Sequence, residues 1–254
     1  MDTNPSQRIL SVSKRILVTG ANGFVCSNII DELLSAGWYV IAHDLTFDNP
    51  AVTGWQADYA DQLELMTGDV LDLPALADLD AIVHGAAITA GPEDRNETPE
   101  ANFKANIDPA LHVLGYAQAH NVRRTLLISS DAVFRGASVI GAIPEETAMR
   151  PIGLYATAKY ALERLTQTLR EDYGRDVVCI RLGSIYGRYE LARSSRPRVS
   201  MVTQLIGQAL DGQTLHVTDD FTDDWTLAND VGRAVVALLS AESLSYALYN
   251  VNSG

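Results

Sequence analysis

The chain has little that could cross-link it, hold a metal or cross a membrane. Only two cysteines, Cys26 and Cys179, occur in 254 residues, and both fall inside apolar stretches expected to be buried. A disulfide framework is therefore not expected, and a reducing compartment is. Neither sulfur has His or Cys neighbours at metal-ligand spacing, so no metal site is expected. Positive charge is also scarce. Lys and Arg number 19 against 32 Asp and Glu, a formal net charge of -13. A nucleic-acid face needs clustered cations, so nucleic acid is not an expected partner. No apolar run reaches membrane-spanning length, and residues 1–13 mix Asn, Pro, Ser and Gln without the apolar core of a signal peptide. These absences predict a cytoplasmic protein with no membrane partner and a flexible amino terminus.

What is present is ordinary for a soluble enzyme: 47% hydrophobic and 20% charged residues, in a chain long enough to bury a sizeable core. The stretch that organises it is Arg15-Ile16-Leu17-Val18-Thr19-Gly20-Ala21-Asn22-Gly23-Phe24-Val25. A short β-branched apolar run reads as a strand, the glycines as a sharp turn, and the residues after them as a helix. Gly20 frees the backbone to turn. Gly23 removes a side chain where a phosphate would press on the main chain, and the opening amides at Phe24 and Val25 point at an anion. Glycines at such turns are common for steric reasons alone, so the spacing needs support from the rest of the unit. A second strand, Trp38 to Ala42, leads to Asp44, placed where a carboxylate accepts hydrogen bonds from an adenosine ribose.

Further along, the residues from Leu45 to Asp61 read as a connector, Leu63 to Thr67 as a third strand, and Ala81 to Ala87 as a buried parallel strand ending in small residues. A helix is predicted from about Pro99 to His120, a strand from Thr125 ending at Ser129-Ser130-Asp131, and a helix from Pro151. Val177 to Ile180 reads as a sixth strand. Alternation of this kind predicts an α/β fold, a doubly wound parallel sheet of Rossmann type, over residues 1–187. From 188 to 254 the character changes, with an arginine-rich stretch from Arg188 to Arg198, a helix near 199–210, a short strand at Thr214 to Val217 and a helix from Ala228 to Leu239. This part predicts a small substrate-binding cap, interleaved with the sheet.

Tyr155 and Lys159 stand four apart, one turn along a helix face. A nearby ammonium, with a positive nicotinamide, favours phenolate and turns the tyrosine into a base. Ser130, at a strand end, could hold a substrate oxygen. A Tyr/Lys pair at this spacing is most often a solvated face; its conjunction with the glycine turn, Asp44 and Ser130 in this order points to one site.

With these residues the chain resembles the extended short-chain dehydrogenase/reductase family, in its sugar epimerase and dehydratase branch. The matching motifs are Thr19-Gly20-Ala21-Asn22-Gly23-Phe24, Gly68-Asp69-Val70, His84-Gly85-Ala86-Ala87, Asn106, Ile128 to Phe134, the Tyr155/Lys159 pair, Arg181 to Gly187 and Tyr249-Asn250-Val251. The resemblance implies NAD as cofactor, held by Gly20, Asn22, Gly23, Phe24 and Val25 at the diphosphate and by Asp44 with Leu45 at the adenosine ribose. Asp69 and Val70 would meet the adenine; Gly85, Ala86 and Ala87 would line the cofactor, and Lys159 would bind the nicotinamide ribose. Tyr155 and Ser130 would carry proton transfer, with Asn106 supporting the lysine through water. Thr89, Asp131, Ser184 and Arg193 would meet a small sugar-type substrate.

Departures from the family pattern sharpen the expectation. Cys26 replaces a third glycine, Ala132 removes the acid pair typical of dehydratases, and Ser184 and Asp223 stand where many relatives carry Asn and Arg toward a nucleotide diphosphate. Relatives also continue beyond the position of Gly254, so the cap is expected either to be minimal or to lack a part here. The implied activity is oxidation of a sugar or nucleotide-sugar hydroxyl, the hydride either staying on the nicotinamide or returning to the opposite face. Two alternatives stay open: a dehydrogenase of a small sugar acid or hydroxy acid without a nucleotide, and a non-catalytic dinucleotide-sensing regulator. A homodimer through the helices near 102–119 and 151–173 is also implied.

Overall fold

Apolar runs rich in Val, Ile and Leu become strands where both of their faces can be covered. In the computed structural model, which describes residues 14–137, 143–144, 147–217 and 223–253, seven such runs assemble into one all-parallel sheet. They are β1 (Arg15–Thr19), β2 (Tyr39–Asp44), β3 (Leu63–Thr67), β4 (Ala81–His84), β5 (Arg124–Ser130), β6 (Val177–Leu182) and β9 (Leu248–Val251), in the spatial order β3-β2-β1-β4-β5-β6-β9. A pair of short strands, β7 (Ser184–Tyr186) and β8 (Trp225–Leu227), forms a separate parallel ribbon.

Side chains alternate across the sheet and recruit helices to both faces. Ile16, Val18, Val40 and Val83 point toward α1 (Phe24–Ser35) and α7 (Ala228–Ser240), which pack on each other. Leu17, Ile41 and Ile82 point the other way, toward Val113 and Tyr116 of α4 (Pro99–Ala119). Leu127 and Cys179 continue that second face against α4 and α5 (Leu154–Glu171). Thr98 starts α4 by accepting the Ala101 amide on its hydroxyl at 3.2 Å, with Pro99 in the first turn, where its missing N–H costs nothing. The remaining helices are α2 (Ala51–Asp58), α3 (Pro92–Arg95) and α6 (Met201–Leu210).

Several expectations are corrected. The connector after Asp44 contains α2, whose Trp55 is buried and donates its indole N–H to Asp31 at 2.5 Å. Residues 214–217 form no strand: Leu215 and Val217 are 41% and 64% exposed and pair with no strand among the described residues. The strand begun at Ala81 stops at His84, and the helix expected from Pro151 begins at Leu154. The region after residue 187 sends β9 into the main sheet beside β6 and α7 onto α1. The amino-terminal segment expected to be flexible, residues 1–13, lies outside the described residues.

Candidate active site

The carboxyl ends of β1, β4 and β5 open into one cleft. At its floor, Gly20 leaves β1 with φ 72°, and a Cβ there would meet the Ala86 nitrogen at 2.6 Å. Both the dihedral and the approach of the β4 end require glycine. Gly23 caps α1 in an extended conformation and offers no side chain to the first turn, so the helix start faces the cleft with its amides available to an anion.

Asp44 closes β2 at the adenosine end. Its carboxylate accepts the Asn22 amide at 2.9 Å and the Leu45 amide at 2.7 Å, which fixes its orientation and leaves further lone pairs. Burial raises its pKa, opposed by those two amides. Asn22, expected at the cofactor, makes side-chain bonds within the protein. Its side chain is buried and spent on the loop after β2, donating to Asp48 at 2.7 Å and accepting the Asn49 amide at 2.9 Å. Leu45 is 64% exposed. Asp69 accepts the Leu71 amide at 2.9 Å and so shapes the turn that carries Val70 beyond β3.

α5 brings Tyr155, Lys159 and Glu163 onto one face. The buried Lys159 ammonium donates to the Ile128 carbonyl at 2.7 Å and lies 5.5 Å from the centre of the Tyr155 ring. Burial pulls the lysine pKa down to about 8, and Glu163 works against that shift. Burial pushes the Tyr155 phenol up to about 12; a hydrogen bond from Ser130 and the charges of Arg196 and Arg135 pull it down, while Asp131 raises it. One helical turn deeper, Glu163 takes the Ser129 hydroxyl at 2.5 Å and the Arg181 guanidinium at 2.9 Å, with neither charge exposed. Asn106 is committed to the loop after β4: its amide oxygen accepts the Ile88 N–H at 2.9 Å and its NH2 donates to the Ile88 carbonyl at 3.1 Å.

The four residues expected at a substrate separate into two groups. Ser184 donates to Asp223, and Asp131 lies within 3.9 Å of where a Gly183 side chain would begin. Burial raises the Asp131 pKa, and Asp223 adds to the rise. Arg193 lies instead toward β2, bonded to Asp48 at 2.5 Å, and Thr89 gives both its amide and its hydroxyl to the Ser195 carbonyl, at 2.9 and 3.2 Å.

Gly20, Gly23, Phe24, Val25, Gly85, Ala87, Thr89, Ser130, Tyr155, Lys159 and Arg193 line the same cleft. Asn22, Asp44, Asp69, Val70, Ala86 and Asn106 stand behind or beside it. Sequence reasoning missed Cys26, Leu191, Ser195 and Arg196, which also line it; the arginine-rich composition of 188–198 was the available signal for the last. A dinucleotide fits this donor set. The glycine turn admits a diphosphate, Asp44 stands ready for a ribose, and two buried guanidinium nitrogens, Arg193 Nη2 and Arg196 Nε, have no acceptor among the described residues. Among those residues, no group of three or more His, Cys, Asp or Glu could hold a metal ion, and no helix is long and apolar enough to cross a membrane.

Comparison with known proteins agrees with this geometry. The model of the NAD dependent epimerase/dehydratase family matches residues 16–251. The UDP-glucuronate 4-epimerase of Thermodesulfobacterium geofontis is 26% identical, over 94% of this chain and 75% of that protein. The fold is shared with a UDP-N-acetylglucosamine 4-epimerase from Methanobrevibacter ruminantium, solved with UDP-N-acetylmuramic acid. Its TM-score is 0.79 at 23% identity, covering 95% of this chain and 77% of that one. A UDP-glucuronic acid 4-epimerase from Bacillus cereus, solved with NAD and UDP-glucuronic acid, gives 0.75 at 22%, covering 94% and 78%.

Proposed function

The chain belongs to the NAD-dependent epimerase/dehydratase family and is an NAD-dependent enzyme of the extended short-chain dehydrogenase/reductase type, and from that premise we propose that it oxidises a hydroxyl of a sugar or nucleotide-sugar, with Tyr155 as the base. The observation that carries this reading is the convergence of Tyr155, Lys159 and Ser130 on the cleft floored by the Gly20 turn. NAD, when bound, would supply the hydride acceptor. Ser130 orients the substrate oxygen by hydrogen bonding. The Tyr155 phenolate oxygen takes the hydroxyl proton as the C–H hydride leaves, and gives it back when the carbonyl is reduced again. A phenol held near 12 even with Arg196 and Arg135 lowering it needs further positive charge to ionise near neutrality, which the oxidised nicotinamide would supply beside Lys159, 5.5 Å from the ring. Hydride return to the opposite face makes the net reaction an epimerisation.

Residues 188–254 supply the substrate side through β8, which pairs with Ser184's strand β7, and through Asp223, which accepts the Ser184 hydroxyl. Asp223 in that region and Asp131 after β5 favour a second substrate reading, a sugar without a diphosphate, because carboxylates repel that group. A homodimer through the outer faces of α4 and α5 completes the proposal; Leu111 on α4 is 46% exposed.

The test is absorbance at the reduced-nicotinamide band, with product analysis, using NAD and a panel of free sugars, sugar acids and nucleotide sugars. Epimer formation with one class, lost at least a hundredfold in Tyr155→Phe, supports the reading. Turnover unchanged in Tyr155→Phe overturns it.

A further inference from the structure

The segment that follows β7 runs across the mouth of the cleft. It leaves through Gly187 and through Tyr189, a non-glycine residue at φ 67°. Asn28 holds the Arg188 carbonyl at 2.9 Å and Asn49 holds the Tyr189 carbonyl at 3.3 Å. On one bank Arg193 grips Asp48 at 2.5 Å; on the other, the Ser195 carbonyl takes the Thr89 and Ala90 amides at 2.9 and 3.1 Å. The segment thus bridges the loop after β2 and the loop after β4, the two walls between which a dinucleotide would lie. The cleft beneath holds about 180 Å³, below the ~300 Å³ at which ligand pockets usually begin.

Its two cleft-lining arginines are built in, with donors left over. Arg196 is held at 2.5 Å by Glu190, a fully buried carboxylate that also takes the Ser200 amide at 2.8 Å and hydroxyl at 2.6 Å. Those bonds keep Glu190 ionised, its pKa lowered against the effect of burial. The Arg196 guanidinium carbon lies 5.4 Å from the centre of the Phe24 ring, at the first residue of α1, and its Nε–H is buried without an acceptor. Arg193 likewise has a buried Nη2 without an acceptor. A buried donor left unpaired is costly. Arg196, with its spare donor beside an uncapped helix start, calls for an anion there.

We propose that residues 189–198 are a strap that lifts to admit NAD and closes over its diphosphate, with Arg196 as a direct diphosphate ligand and Arg193 as the latch on the adenosine side. This rests on the reading that the cleft holds NAD. A diphosphate could also come from a nucleotide-sugar, but Arg196 sits on Phe24 at the glycine turn and Arg193 on Asp48 beyond β2. The strap makes the cofactor slow to leave, as a hydride-recycling reaction requires.

Calorimetric titration of wild type, Arg196→Gln and Arg196→Lys with NAD, ADP and UDP tests the assignment, and stopped-flow fluorescence measures NAD release from wild type and Arg193→Gln. Arg196→Gln should weaken NAD and ADP about tenfold and flatten the salt dependence of their binding. Arg196→Lys should restore part of the loss, UDP should be unaffected, and Arg193→Gln should release NAD several-fold faster with the Glu190 contacts intact. Weakened UDP with unchanged ADP would give the arginine to the substrate and overturn the proposal, as would unchanged affinity and release in all variants. Wild-type protein that binds neither NAD nor ADP defeats the cofactor reading itself.

Discussion

Cys26 and Gly85 are complementary: the cysteine sulfur on α1 fills the space that any side chain at Gly85 would need, and it donates weakly to the Thr19 carbonyl at 3.6 Å. A thiol stands where the family pattern has a third glycine, and the missing side chain across from it makes the room. The helix therefore keeps its close approach to the strand despite the larger residue.

That burial pushes the Cys26 thiol up to about 12, as it does for Cys179. Neither sulfur should be alkylated by iodoacetamide at mildly alkaline pH in the native protein, and both should react once urea unfolds it. Mass spectrometry of the labelled chain reads the outcome; rapid native labelling of either residue would contradict it.

Gly20→Ala should abolish cofactor binding and destabilise the fold. The new Cβ would press on the Ala86 backbone at 2.6 Å while the residue is held at φ 72°. Strain of roughly 1–3 kcal/mol is expected from the dihedral alone. Urea denaturation and NAD titration together measure both effects, and a variant that binds NAD normally would refute the assignment of this turn.

The buried Glu163–Arg181 pair predicts a strong asymmetry between single and double variants. Glu163→Gln removes the carboxylate charge 2.9 Å from the buried Arg181 guanidinium, and a loss of about 3–5 kcal/mol is expected. Glu163→Leu combined with Arg181→Met should recover much of that loss. Double-mutant cycles in urea check it; additive losses would show the pair to be uncoupled.

His84 predicts a pH dependence with a definite sign. Buried, with Nδ1 2.7 Å from the Thr19 hydroxyl, it has a pKa lowered to about 3 by desolvation, with Lys159 adding to the fall. The folded state therefore binds this proton less readily than the unfolded chain. Stability from the neutral ring is complete above about pH 6.5, the unfolded value, and is lost as pH falls toward 3, at up to about 1.4 kcal/mol per pH unit. Urea midpoints of wild type should fall more steeply between pH 6.5 and 4.5 than those of His84→Gln. Parallel slopes would rule this group out.

The features legible in the sequence were those set by neighbours along the chain. The β1–Gly20–α1 turn, Asp44 at the end of β2 and the Tyr155/Lys159 spacing are local patterns, and local periodicity reports them directly. Roles fixed by distant partners were not visible. Asn22 sits in the fingerprint but is spent on Asp48 and Asn49, because the loop after β2 folds back over it. Residues 214–217 have strand-forming composition but no strand beside them. α2 holds Gly54 and little helical pattern; its anchor is Trp55 on Asp31 of another helix. Arg193 was expected at the substrate, and the pairing that brings it to Asp48 after β2 depends on the path of the chain, which local pattern does not report.

The pairing of α1 with α7 sets an order of events during synthesis. Ala228 lies 193 residues after Ser35, so at ~5–20 residues per second the first helix waits roughly 10–40 s for the partner that covers its apolar face. Through that interval Ile29 and Leu33, fully buried in the finished fold, are open to a chaperone or to another nascent chain. The yield of active protein should therefore respond to translation speed and to chaperone supply as much as to the stability of the completed sheet.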